Sequence, residues 1–174
     1  MSDAAAPEFS RMVDPRKLTE GAIVLEPDEG ERSALARRFD LVSVDSMRAE
    51  VVLDPDGNAV AAHGTLEAQI VQSCAVSGDD LPARIEEDIS LRFVPENSLP
   101  TPDEEIELTA DQLDEIEYRG DRFDLGEAVA QTLGLAIDPF AEGPGAEEAR
   151  KAGLVSSAEA SGPFAALAAL KKGN

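Results

Sequence analysis

Between Val42 and Phe93 apolar and polar residues alternate through three consecutive segments, and this period of two constrains the chain more than any other feature. Met47, Ala49, Val51 and Leu53 take every second position. Val60, Ala62, Gly64, Leu66, Ala68 and Ile70 resume the pattern, with His63, Thr65, Glu67 and Gln69 on the opposite face, and Ala83, Ile85, Ile89, Leu91 and Phe93 follow. Successive side chains of a strand point to opposite faces, so each segment reads as a half-buried strand. Asp54-Pro55-Asp56-Gly57-Asn58 and Ser77-Gly78-Asp79-Asp80 separate the three. Proline presets one turn angle and glycine supplies a positive φ. Three alternating runs joined by such turns predict an antiparallel meander.

The flanking sequence adds shorter elements. Phe9 to Val13, Gly21 to Leu25, Ile106 to Leu108 and Glu115 to Tyr118 have strand character. Asp28, with Glu31 three residues on, has the spacing of a capping box and opens a helix that carries Leu35 and Phe39 on one face. Arg37 and Arg38 fall at its end, where cations suit the helix dipole. Asp124 and Glu127 repeat the capping spacing before Leu125, Val129, Leu133 and Ala136, which recur at helical period until Asp138-Pro139 stops them. The fold class expected is α+β. One domain spans 1–139, with an antiparallel, curled or barrel-like sheet of five to seven strands, the helix at 124–137 packed on it and a smaller N-terminal helix. A flexible linker is expected over 140–160, then a short amphipathic motif at 161–172.

The chain's 174 residues carry a formal net charge of −21. Residues 96–149 hold 16 acids against Arg119 and Arg122 alone, whereas the stretch beyond 149 is weakly basic. Affinity for a phosphate backbone rests on Lys and Arg displacing counterions, so this balance opposes nucleic acid and favours basic partners. Asp103, Glu104, Glu105, Glu107, Asp114, Glu115 and Glu117 form the densest acidic set and read as a docking face for a basic partner. Their spacing matches no calcium loop, and no metal is expected there. At the other end Phe164, Leu167 and Leu170 share one face of a short helix that finishes in Lys171 and Lys172. Such a segment folds on docking, either to a protein or RNA groove of a partner or back onto its own domain.

No catalytic constellation is present, and an enzyme is not expected. Cys74 would need a base, and the only histidine, His63, lies an odd number of residues away on the same candidate strand and so on its other face. One cysteine forms neither an internal disulfide nor a zinc site built on several cysteines. With no apolar run near membrane-spanning length and no signal-peptide pattern behind Met1, the expected compartment is the cytoplasm. No cofactor and no small-molecule substrate are implied.

The stretch from Phe123 to Pro139 resembles the D-L…V…L-A-L/I-x-P helix of the YceD family, and Gly162 to Lys172 is similar to that family's C-terminal N-P-F-A-x-L-x-x-L-K signature. Leu66 to Leu91 corresponds to the hairpin on which members carry C-x-x-C. The resemblance implies a cytoplasmic factor that supports 23S rRNA accumulation and so large-subunit assembly, and the lack of a catalytic constellation makes a non-enzymatic accessory role the expectation. The charge split and the tail pattern then suggest that its partner is a ribosomal protein or assembly intermediate, met through the acidic face and the C-terminal motif. Where many members have C-x-x-C this chain has Val71-Gln72-Ser73-Cys74, so a metal or redox role of the pair does not carry over. Gly162 stands in place of the usual Asn. The alternative is a direct RNA-binding or rRNA-processing protein, for which Arg48, Arg84 and Arg92 are the only bases on the central strands.

Overall fold

The computed structural model describes residues 7–96 and 114–153. In chain order they form β1 (Met12–Val13), a 3-10 turn (Pro15–Lys17), β2 (Ala22–Leu25), α1 (Glu29–Arg38), β3 (Ser43–Asp56), β4 (Ala59–Ser73), β5 (Asp80–Pro95), β6 (Asp114–Tyr118), β7 (Phe123–Asp124), α2 (Leu125–Ala136) and α3 (Ala146–Lys151). Five strands make one sheet in the order β2-β3-β4-β5-β6, and β1 and β7 pair separately. The architecture is α+β with mainly antiparallel pairing. The large sheet is open, with β2 and β6 at its edges, and no barrel closes among the described residues.

The meander is the centre of the molecule, as the alternation requires. The first turn is tighter than the sequence implies. Only Gly57 and Asn58 lie outside the ladder, with Asp56 opposite Ala59 and Gly57 at φ +62°. Pro55 is therefore inside β3. It sits opposite Val60 in a non-hydrogen-bonded position, its nitrogen turned to the side where β2, whose pairing stops at Val52, no longer runs. A register shift between Val44 and Ser46 makes room for one extra residue, Asp45. Without that bulge Val44 and Met47, three apart, would face opposite sides; with it both are buried. Gly64 on β4 marks a close approach, because a Cβ there would run into the carbonyl oxygen of Glu50 on β3.

One face of the sheet is covered and the other is polar. Met47, Val51, Leu53, Leu66, Ile70, Ile89, Leu91 and Phe93 point toward Leu35 of α1 and Leu125, Val129 and Leu133 of α2 in a single hydrophobic cluster. The helices touch through Phe39, whose ring lies so close to Gly134 that a Cβ there would sit 2.6 Å from it. Asp28 and Glu31 form the reciprocal capping box on α1. On α2 only half of the expected box exists: Asp124 accepts from the Glu127 N–H, while the Glu127 carboxylate is taken by Arg38.

Two expectations need correction. Strand β6 joins β5 in parallel, Phe93 opposite Ile116, so the sheet is not wholly antiparallel. A parallel neighbour needs a crossover of a dozen residues or more, which the long connection 96–113 supplies. Its candidate strand Ile106 to Leu108 lies outside the described residues. In addition, the first part of the segment read as a linker is folded. After α2 the chain turns back along the β4–β5 turn, Ala75 N–H donating to Ala141 O at 3.0 Å, and α3 buries Ala146 and Ala149. Alanine and glycine spacing shows no helical stripe here because small residues pack closely without one; Gly143 and Gly145 lie against Leu81 and Asp79. The rest of that segment, 154–160, and the motif at 161–172 lie outside the described residues.

Candidate partner-binding surface

Of the acidic set, Asp103, Glu104, Glu105 and Glu107 lie outside the described residues, as do Phe164, Leu167, Leu170, Lys171 and Lys172. Asp114, Glu115 and Glu117 are on β6, where period-two alternation splits them. Glu115 and Glu117 share the outer, polar face of the sheet, and Asp114 shares the inner side with Ile116 and Tyr118. Tyr118 and the stacked rings of Phe93 and Phe123, 4.1 Å apart, hold β5, β6 and β7 together. The three acids therefore do not form one face.

On the outer face each arginine is already held between two carboxylates, which leaves the acids in excess. Arg48 reaches Glu26 and Glu50 at 2.7 Å each, and Arg84 lies between Glu67 and Glu86. Arg92 bridges Asp56 and Glu115 at 2.8 and 2.7 Å. All three candidate RNA-contacting arginines are thus held by carboxylates, and no aromatic side chain accompanies them on these strands' outer face. His63 is exposed on that face.

A separate ion-pair network ties the N-terminal segment to both helices. Arg11 donates to both oxygens of Glu31 at 2.7 and 2.9 Å, and its backbone N–H donates to Asp124. Arg38 makes a two-pronged contact with Glu127 at 2.8 and 2.7 Å and also reaches Glu8. These guanidinium contacts hold Glu31 and Glu127 below the usual carboxylate range.

Cys74 is buried just past β4, at the turn into β5. The Ser77 hydroxyl, with backbone N–H groups of Ser77, Gly143 and Val76, favours the thiolate and brings its pKa down to about 6. The Ser77 and Gly143 nitrogens stand 3.3 and 3.4 Å from Sγ. Sequence places the cysteine at a turn but gives no sign of Gly143, which is 69 residues away. His63 lies on β4's outer face and is not part of this arrangement. No group of three or more histidine, cysteine, aspartate or glutamate side chains is placed to hold a metal among the described residues.

The main concavity on the inner side runs between α2 and β5–β6. One part of it, about 540 Å³, has Leu91, Ile116, Ala128, Leu135 and Ala136 as its apolar floor and the acids Glu87 and Asp114 at its rim. A second part shares Ile116, Ala128 and Gln131 and continues toward Met12, Tyr118 and Phe123. Leu135 is 86% exposed and Met12 54%, large fractions for side chains of this kind. Glu87 and Asp114 make no ion pair among the described residues, unlike the carboxylates that hold Arg48, Arg84 and Arg92. Sequence could not show this groove, because it depends on where β6 docks.

None of the described helices is long and apolar enough to cross a membrane. No curated protein and no solved structure matches the chain. Residues 62–171 match the model of one family, described as "Large ribosomal RNA subunit accumulation protein YceD". The match begins within β4 and takes in β5, β6, both sides of the groove and the C-terminal motif, so the chain belongs to the YceD family.

Proposed function

We propose that this chain is a non-enzymatic, cytoplasmic accessory factor in assembly of the large ribosomal subunit. It binds a basic ribosomal protein or an assembly intermediate, and so supports accumulation of the large-subunit rRNA. Family membership links it to that rRNA. The observation that carries the protein-partner reading is the distribution of charge: 16 acids against two arginines over 96–149, beside a sheet whose arginines are already bound to carboxylates. An acidic surface draws a basic partner at long range and raises its encounter rate. Direct RNA binding is disfavoured, since Arg48, Arg84 and Arg92 would each have to leave a carboxylate before neutralising a phosphate.

The test is affinity capture from native lysate with the wild type and a Phe164→Ala/Leu167→Ala/Leu170→Ala variant, identifying both protein and RNA. Ribosomal proteins or large-subunit precursors held by the wild type and lost from the variant are expected. RNA retained after the proteins are digested away would replace this reading with direct RNA binding, and capture of neither would sink both.

A further inference from the structure

The groove between α2 and β5–β6 has an apolar floor, an acidic rim and an exposed leucine, but among the described residues nothing covers it. Three segments of the chain lie outside those residues, and charge separates them as occupants. Residues 97–113 carry Asp103, Glu104, Glu105, Glu107 and Asp111 with no base, so Glu87 and Asp114 repel them. Residues 1–6 offer one aspartate and no large apolar side chain beyond Met1. Residues 161–172 are the opposite: Phe164, Leu167 and Leu170 at regular spacing, then Lys171 and Lys172, with no acid after Glu159.

The distances allow it. The described chain ends at Gly153, after α3, on a segment that packs against Leu81 near the start of β5. From Leu81 to Glu87, where the groove begins, is about 20 Å of strand. Ten residues from 154 to 163 span up to about 33 Å when extended. Along α2 the groove runs from Asp124 to Ala136, about 18 Å, which accommodates about twelve residues of helix. We propose that this groove is the docking site of the chain's own segment 161–172, entering beside Glu87, with Phe164, Leu167 and Leu170 on the apolar floor and Lys171 and Lys172 at Asp114, which lies opposite Leu91 and so about 13 Å beyond Glu87. This goes beyond partner binding: side chains seated in the groove are withheld from any other protein until they are displaced.

NMR of the isotopically labelled full chain tests it, comparing wild type with Leu167→Asp/Leu170→Asp. Expected are amide shift changes at Ile116, Ala128, Gln131, Leu135 and Ala136, unchanged across a tenfold range of protein concentration. Leu135→Asp, at a position exposed enough to leave the fold intact, should move the 161–172 signals to the positions seen in the first variant. High salt should move wild-type signals the same way. Changes confined to residues near the substitutions would overturn the proposal. So would groove shifts that grow with concentration, which would assign the groove to a second copy. No ribosomal component is present, so failure here leaves the partner reading standing.

Discussion

At the scale of single residues, charge and proton linkage give the sharpest expectations. Glu31 and Glu127 titrate below their ordinary range because Arg11 and Arg38 hold them, and Asp14 comes down to about 2 beside Arg16. A carboxylate with a depressed folded-state pKa stabilises the fold above the unfolded value, and that stability is lost as pH falls through the folded value. In the Cys74→Ala protein, where no thiol titrates, urea midpoints should therefore hold steady near neutrality and fall between about pH 4.5 and 2. A double-mutant cycle of Arg38→Ala and Glu127→Ala should give a coupling of about 1 kcal/mol at pH 7, large for a surface pair because the contact is two-pronged and half-buried. The coupling should vanish once Glu127 is protonated. Cys74 follows the same sign at higher pH. Its folded pKa of about 6 lies below that of an unfolded thiol, so stability relative to Cys74→Ala should rise from pH 6 to about 8.5. Thiolate absorbance should titrate near 6, while a bulky thiol reagent should react slowly until the protein is denatured, because the sulfur is buried.

At the scale of elements, local rules account for what they govern and stop where distant parts meet. Alternation through Met47, Leu66 and Leu91 is enough to find the meander, because one buried face imposes the period. Asp28 with Glu31, and the Leu125–Val129–Leu133 stripe, are enough to find the two main helices. The same rules misread Glu127, since the arginine that claims it is 89 residues away. They also missed the parallel entry of β6 and the docking of Ala146 and Ala149, which leave no periodic trace. Of the acidic set they could name the residues but not the strand geometry that turns Asp114 away from Glu115 and Glu117. Two substitutions measure the packing itself. Gly64→Ala should cost about 3 kcal/mol in urea unfolding, because the methyl group meets β3 backbone, which has little room to shift. Leu133→Ala, fully buried in the helix–sheet cluster, should cost a similar amount through the cavity it leaves.

At the scale of the whole molecule, the net charge of −21 acts through its arrangement. The outer sheet face keeps a negative excess, since three arginines meet six carboxylates there, and the groove rim and the residues around β6 add to it. Capture of a basic partner should therefore weaken severalfold between low and physiological salt, with the loss in the association rate. Asp114→Asn, which lowers rim charge without touching the core, should reduce that salt dependence, as read by surface binding kinetics with the captured partner. The paired strands also set an order of assembly. β3 to β5 are joined by short turns and can form as soon as they are made. Strand β1, near the start of the chain, pairs among the described residues with β7, more than a hundred residues later. The domain thus closes at its two ends: a chain that has reached only residue 113 has a sheet with Phe93 lacking Phe123, and Phe9 waiting for α2. Completion during synthesis comes in one late step, when residues 114–136 supply the missing strand, rings and helix together.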